Sequence, residues 1–110
     1  MFYYPLYTSI GYRNPYPPVN ISIFQESLQM SPQLLQQAIQ FMNQLNQSPE
    51  NIHDLMEAAQ AGQDEEVDKI TNQASGDLDV KTSYTPMSVT FRLTHDDIPC
   101  CTLTLNLIWG

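Results

Sequence analysis

The stretch LDVKTSYTPMSVTFRLTHDDIPCCTLTLNLIW, residues 78–109, decides the fold. Leu78, Val80, Thr82 and Tyr84 alternate with polar neighbours, and Val89, Phe91 and Leu93 do the same. Cys101, Leu103, Leu105, Leu107 and Trp109 then alternate against Thr102, Thr104, Asn106 and Ile108. A period of two marks a strand with one buried face. Thr85-Pro86 marks one turn, and His95-Asp96-Asp97 with Pro99 the other. Three consecutive antiparallel strands within 77–110 follow, and their shared apolar face needs a cover.

That cover lies upstream, where the period changes to that of a helix. Leu34, Leu35, Ala38, Ile39, Met42 and Leu45 keep the three-and-four spacing of one buried face. The opposite face is mainly amide: Gln33, Gln36, Gln37, Gln40 and Gln44. Ser31-Pro32 reads as an N-cap before a first-turn proline, and Ser48-Pro49-Glu50 repeats the device. Ile52, Leu55, Met56 and Ala59 continue the pattern until Gly62 breaks it. A third helix starts near Gln63, with Asp64, Glu65 and Glu66 in the first turn, where the helix dipole favours anions, and with Val67 and Ile70 facing inward. The expected fold is α+β: two to three helices, within 31–74, on a three-stranded antiparallel meander. Residues 21–110 form one domain.

Residues 1–20 differ in composition. Five of the six tyrosines (Tyr3, Tyr4, Tyr7, Tyr12, Tyr16) and four of the eight prolines (Pro5, Pro15, Pro17, Pro18) lie here. Proline fixes φ, removes a donor and pushes its predecessor into extended geometry, so an extended arm is expected. Its aromatic content sets it apart from ordinary disordered tails and points to packing on its own domain or on a neighbouring copy. Val19, Ile21 and Ile23, alternating with Asn20 and Ser22, read as a short strand after it.

The whole chain has 110 residues and a net charge of −8, with only 15% charged residues. Nothing in it neutralises a run of phosphates, which argues against nucleic acid, and the acidity argues against an anionic membrane surface. No apolar run approaches the roughly 18 residues of a membrane helix. The first 18 residues lack the apolar core of a secretory signal.

Candidate chemistry is sparse. His53, Asp54 and Glu57 share a helical spacing that can bring them to one cation, yet the same trio is the ordinary make-up of a solvated face. His95-Asp96-Asp97 is a polar turn without the regular oxygen ligands of a calcium loop. No nucleophile elbow, Gly-rich phosphate loop or His-Glu-x-x-His helix is present, so no catalytic residue, metal or cofactor is expected. Asn20-Ile21-Ser22 and Asn46-Gln47-Ser48 match glycosylation sequons, which read as chance matches without a secretory signal. Strand alternation puts Cys101 inward with Leu103 and turns Cys100 outward. Adjacent cysteines, with Cα atoms about 3.8 Å apart, fall below the usual disulfide range. Cys100 is therefore the candidate for a cross-link to another chain, and an ordinary reduced thiol is the alternative.

Two resemblances rest on particular residues. DLMEAAQAGQDEEVDKI (54–70) resembles the opening helical pair of an ankyrin repeat, through Glu57-Ala58-Ala59, Ala61-Gly62 and Glu66-Val67. An ankyrin array needs at least three stacked repeats, and here the chain turns to strands instead. The order Met56, Ala58-Ala59-Gln60, Glu66-Val67-Asp68, Tyr84-Thr85-Pro86, Cys100-Cys101, Leu103-Thr104 and Trp109-Gly110, behind a Tyr/Pro-rich start, resembles a group of small proteins made during sporulation in endospore-forming bacteria. That resemblance implies a forespore or spore-coat location and no catalytic motif. The Gln-rich helix is not accounted for by it.

Two functions are compatible with these features. One is a structural protein that assembles from copies of itself and other spore proteins, its arm (Phe2, Tyr3, Tyr4, Tyr7, Tyr12, Tyr16) adding a strand to the next subunit's sheet. The other is an adaptor that binds a protein partner through its helix hairpin.

Overall fold

The computed structural model describes residues 18–110. The arm expected over 1–20 lies almost wholly outside them, including Phe2, Tyr3, Tyr4, Tyr7, Tyr12 and Tyr16. The elements run α1 (Ser22–Asn46), α2 (Pro49–Gln60), α3 (Asp64–Ser75), β1 (Asp79–Tyr84), β2 (Ser88–Thr94) and β3 (Leu103–Ile108). The strands form an antiparallel sheet in the order β1-β2-β3, with Thr82 opposite Phe91 and Phe91 opposite Leu105. The α+β meander read from the alternation is the fold of the described residues.

Strand alternation sorts the sheet's two faces. Val80, Val89, Phe91 and Leu93 are buried, whereas Lys81, Ser83, Arg92, Thr104 and Asn106 are exposed. Helix α3 packs on β1 and also touches α1 and α2, so it links the helical layer to the sheet. From α1, Phe41 meets Phe91 edge to face, with ring centroids 5.2 Å apart and planes at 86°, a favoured aromatic geometry. Leu93 is fully buried at 0% exposure, and Ile98, in the turn before β3, is buried beside the same core. Thr71 is buried on α3, where its hydroxyl donates to the Asp68 carbonyl at 3.0 Å.

The helix ends follow their local chemistry. The Ser48 hydroxyl accepts from the Asn51 amide at 3.3 Å, and Pro49 takes the first turn of α2. Gly62 adopts φ +69° between α2 and α3, a left-handed turn that costs glycine little.

Helix α1 corrects the sequence reading in three ways. First, residues 19–24 form no strand: Asn20 Oδ1 accepts from the Ser22 amide at 3.0 Å, and the helix starts there. Second, Ser31-Pro32 does not cap a helix, because Pro32 lies inside α1. A mid-helix proline leaves the carbonyl four residues earlier without its donor. Here that carbonyl belongs to Leu28, and the Ser31 hydroxyl donates to it at 3.1 Å. Third, the buried face is narrower and rotated. Leu34, Ala38 and Phe41 are buried, while Leu35 and Ile39 are exposed. The packed body reaches only one side of α1, so one of two adjacent apolar stripes is left in solvent.

Candidate assembly surface

An open three-stranded sheet has two edges, and here they differ in protection. Strand β1 carries Asp79 and Lys81, whereas residues 100–110 carry no charge at all. Charges, prolines and bulges are the usual guards of an edge strand, and β3 has none of them between Leu103 and Ile108. Ile108 is 87% exposed on its outer face. Among the described residues nothing pairs with the free side of β3, which leaves backbone groups open along six residues and Leu107 and Ile108 exposed at its end.

A cleft of about 330 Å³ continues from the end of that strand, lined by Met56, Ala59 and Gln60 of α2 and by Tyr84, Thr85, Pro86, Trp109 and Gly110. The hairpin loop after β1 builds its floor. Thr85 Oγ1 accepts from the amides of Met87 at 3.3 Å and Ser88 at 3.1 Å. Met87 in turn accepts from the Trp109 amide at 3.0 Å, and the indole N–H donates to the Thr85 carbonyl at 2.9 Å. The C-terminal dipeptide is thereby strapped to the loop between β1 and β2. The Tyr84 and Trp109 rings sit 6.1 Å apart at 46°, presenting aromatic surface with little conformational freedom to lose. The Tyr84 hydroxyl donates to Asp64 Oδ1. That bond, together with partial desolvation and the negative charges of Asp64 and Asp68, raises the phenol above its ordinary range.

All eight lining residues belong to the set that carries the sporulation resemblance. They come from three separate chain segments, so no local period could have shown that they meet. The exposed stripe on α1 is likewise hidden from the helical period, because Leu35 and Ile39 keep the spacing of a buried face and yet are exposed.

Cys100 and Cys101 depart from the sequence reading. They are bonded to each other, and among the described residues no cysteine is free. Strand alternation does not apply to them because β3 begins only at Leu103 and both residues lie in the preceding turn region. Both sulfurs face the same way and lie 3.8 and 3.7 Å from the Ser27 carbonyl oxygen. A cross-link from Cys100 to another chain requires this bond to open first.

His53, Asp54 and Glu57 do come together on α2, with His53 Nδ1 3.8 Å from Asp54 and 3.7 Å from Glu57. All three are exposed, and their surroundings are those of a hydrated helix face. Among the described residues no helix is long and apolar enough to cross a membrane.

A family model described as YuzC spore coat inner layer protein matches residues 21–103. This chain belongs to that family. The match spans all three helices and the first two strands and reaches the start of β3. Membership places the protein in the spore coat as a structural component. No curated protein and no solved structure matches the chain.

Proposed function

We propose that this chain is a non-enzymatic building block of the coat's inner layer that joins copies of itself, the arm at residues 1–20 of one copy adding a strand to β3 of the next. The observation that carries this reading is the uncharged, unguarded edge of β3. Strand addition takes its affinity from main-chain hydrogen bonds and its specificity from side-chain pockets. Between Pro5 and Pro15 the arm has nine proline-free residues, LYTSIGYRN (6–14), enough to run beside the six of β3. Its tyrosines and Phe2 match the aromatic cleft at Tyr84 and Trp109. Donor and acceptor are different surfaces, so the contact is heterologous and repeats into an open chain or closes into a ring.

Electron microscopy of the purified full-length protein tests this, beside a variant lacking residues 1–17 and a full-length Asn106→Lys variant. Asn106 is exposed on β3, and a lysine there guards the edge. Fibres or sheets from the unaltered chain and none from either variant is the expected result. Assembly that survives both changes refutes the arm reading, and small discrete particles in all three samples point to the adaptor instead.

A further inference from the structure

Helix α1 carries a second apolar stripe that its own domain leaves uncovered. Ile21, Phe24, Leu28, Leu35 and Ile39 follow one another at spacings of three, four or seven residues, and each is 47–65% exposed. Pro32, also exposed, fills the gap between Leu28 and Leu35. At 1.5 Å per residue the stripe runs about 27 Å along one side of the helix. Its neighbours on the side away from the body are Gln25, Gln29, Gln36 and Gln40, all exposed.

We propose that this stripe is a seam for a second copy of the chain, two α1 helices packing antiparallel about a two-fold axis. An isologous contact requires a surface that is complementary to itself. The positions 21, 24, 28, 32, 35 and 39 nearly reverse onto themselves about residue 30. Ile21 meets the other copy's Ile39, Phe24 meets Leu35, and Leu28 meets Pro32. Antiparallel pairing also opposes the two helix dipoles favourably.

Charge selects the same occupant. The protein carries −8 overall, yet Glu26 is the sole charged residue in the 25 of α1. Two copies can therefore approach along α1 with little of the repulsion that the acid-rich α2 and α3 surfaces impose. A membrane-surface helix sets Lys and Arg beside its apolar face, and α1 has neither. A strongly charged partner would likewise find no counter-charge. The glutamine rim, neutral and both donor and acceptor, suits a copy of itself.

Area agrees with this. Five large side chains at half exposure offer on the order of 500 Å², as large as the biggest apolar patch of a typical monomer. With the amide rim and both partners counted, the contact reaches about 1,000 Å², where specific interfaces begin. This seam is separate from the β3 edge and does not depend on the arm.

Sedimentation velocity on the full chain across a wide dilution series tests the seam, comparing the unaltered protein with Leu28→Glu/Leu35→Glu, each with and without Asn106→Lys. Both leucines face solvent in the monomer, so far-UV circular dichroism of the double variant should match the parent. The expected result is a smallest stable unit of two chains that becomes one chain in the Leu28→Glu/Leu35→Glu proteins, with self-association weakened about 100-fold or more. An unchanged mass in those proteins overturns the seam. So does a full-length chain in which serine at Phe2, Tyr3, Tyr4 and Tyr7 releases the pair as fully as the glutamates do, because the arm is then what covers the stripe. Failure of the arm reading shows separately, as assembly that is indifferent to Asn106→Lys.

Discussion

Thr82 is a polar side chain in an apolar place. It sits on the inner face of β1 opposite Phe91, and its Oγ1 is, among the described residues, the buried side-chain oxygen without a hydrogen-bond partner. An unpaired buried hydroxyl costs about 1–3 kcal/mol. Thr82→Val keeps the shape and removes that cost, so it should stabilise the protein by about 1 kcal/mol, read as a higher urea midpoint at unchanged slope. A lower midpoint would mean that the hydroxyl finds a partner in solution. Tyr84 makes a prediction about pH. Its folded phenol holds its proton more tightly than the unfolded chain's, whose ordinary value is 10.0. The stabilisation is complete below about pH 10 and fades as pH rises through the raised folded value. Tyr84→Phe removes this alkaline sensitivity, so its urea midpoint should fall less between neutral and strongly alkaline pH than the parent's. Equal declines would show that the Tyr84–Asp64 bond contributes nothing.

At the scale of the element, α1 meets the sheet through an aromatic contact. Phe41 is 1% exposed and meets Phe91 at the centre of the core. Truncating such a residue forfeits both transfer energy and packing. Phe41→Ala should therefore cost about 3–5 kcal/mol by urea unfolding, and hydrogen exchange should show α1 opening ahead of the strands. Uniform loss of protection across helices and strands would show instead that α1 does not open independently. The same helix shows what local rules miss. Ser31-Pro32 carries the composition of a helix start, yet the helix runs on through it, with Leu34, Ala38 and Phe41 buried just beyond and the Ser31 hydroxyl on the Leu28 carbonyl. Tertiary burial on the C-terminal side of Pro32 offsets the penalty of about 3 kcal/mol that an interior proline imposes.

Across the whole molecule, acidic helices α2 and α3 stand on one side of the sheet, and Lys81 and Arg92 lie next to each other on its opposite face. Among the described residues, the β3 edge and the α1 stripe are almost free of charge. For a protein of charge −8, those are the places where copies can meet without strong repulsion. The isologous seam proposed at α1 and the heterologous contact proposed at β3 would together build an extended assembly from copies of the chain. A family of the inner spore coat is a setting for such an assembly.

The sequence by itself determined the elements whose cues are local. Alternation from Leu78 onward specified the strands, and the two turns specified their order. Ser48-Pro49 and Gly62 specified the helix hairpin. These cues need nothing beyond neighbours a few residues away, because side-chain direction follows directly from the strand or helix period. Other features were left to tertiary structure. Which of the two apolar stripes of α1 is buried depends on where α3 and the sheet lie, and no periodicity within α1 can distinguish Leu34 from Leu35. The cleft of Tyr84, Trp109 and Met56 joins segments far apart in sequence, so it exists only once the chain has closed. The bond between Cys100 and Cys101 depends on a turn that ends before β3 begins, and strand alternation could not locate that boundary. Period sets the direction of a side chain relative to its own element, whereas burial and contact depend on what other elements bring to that side.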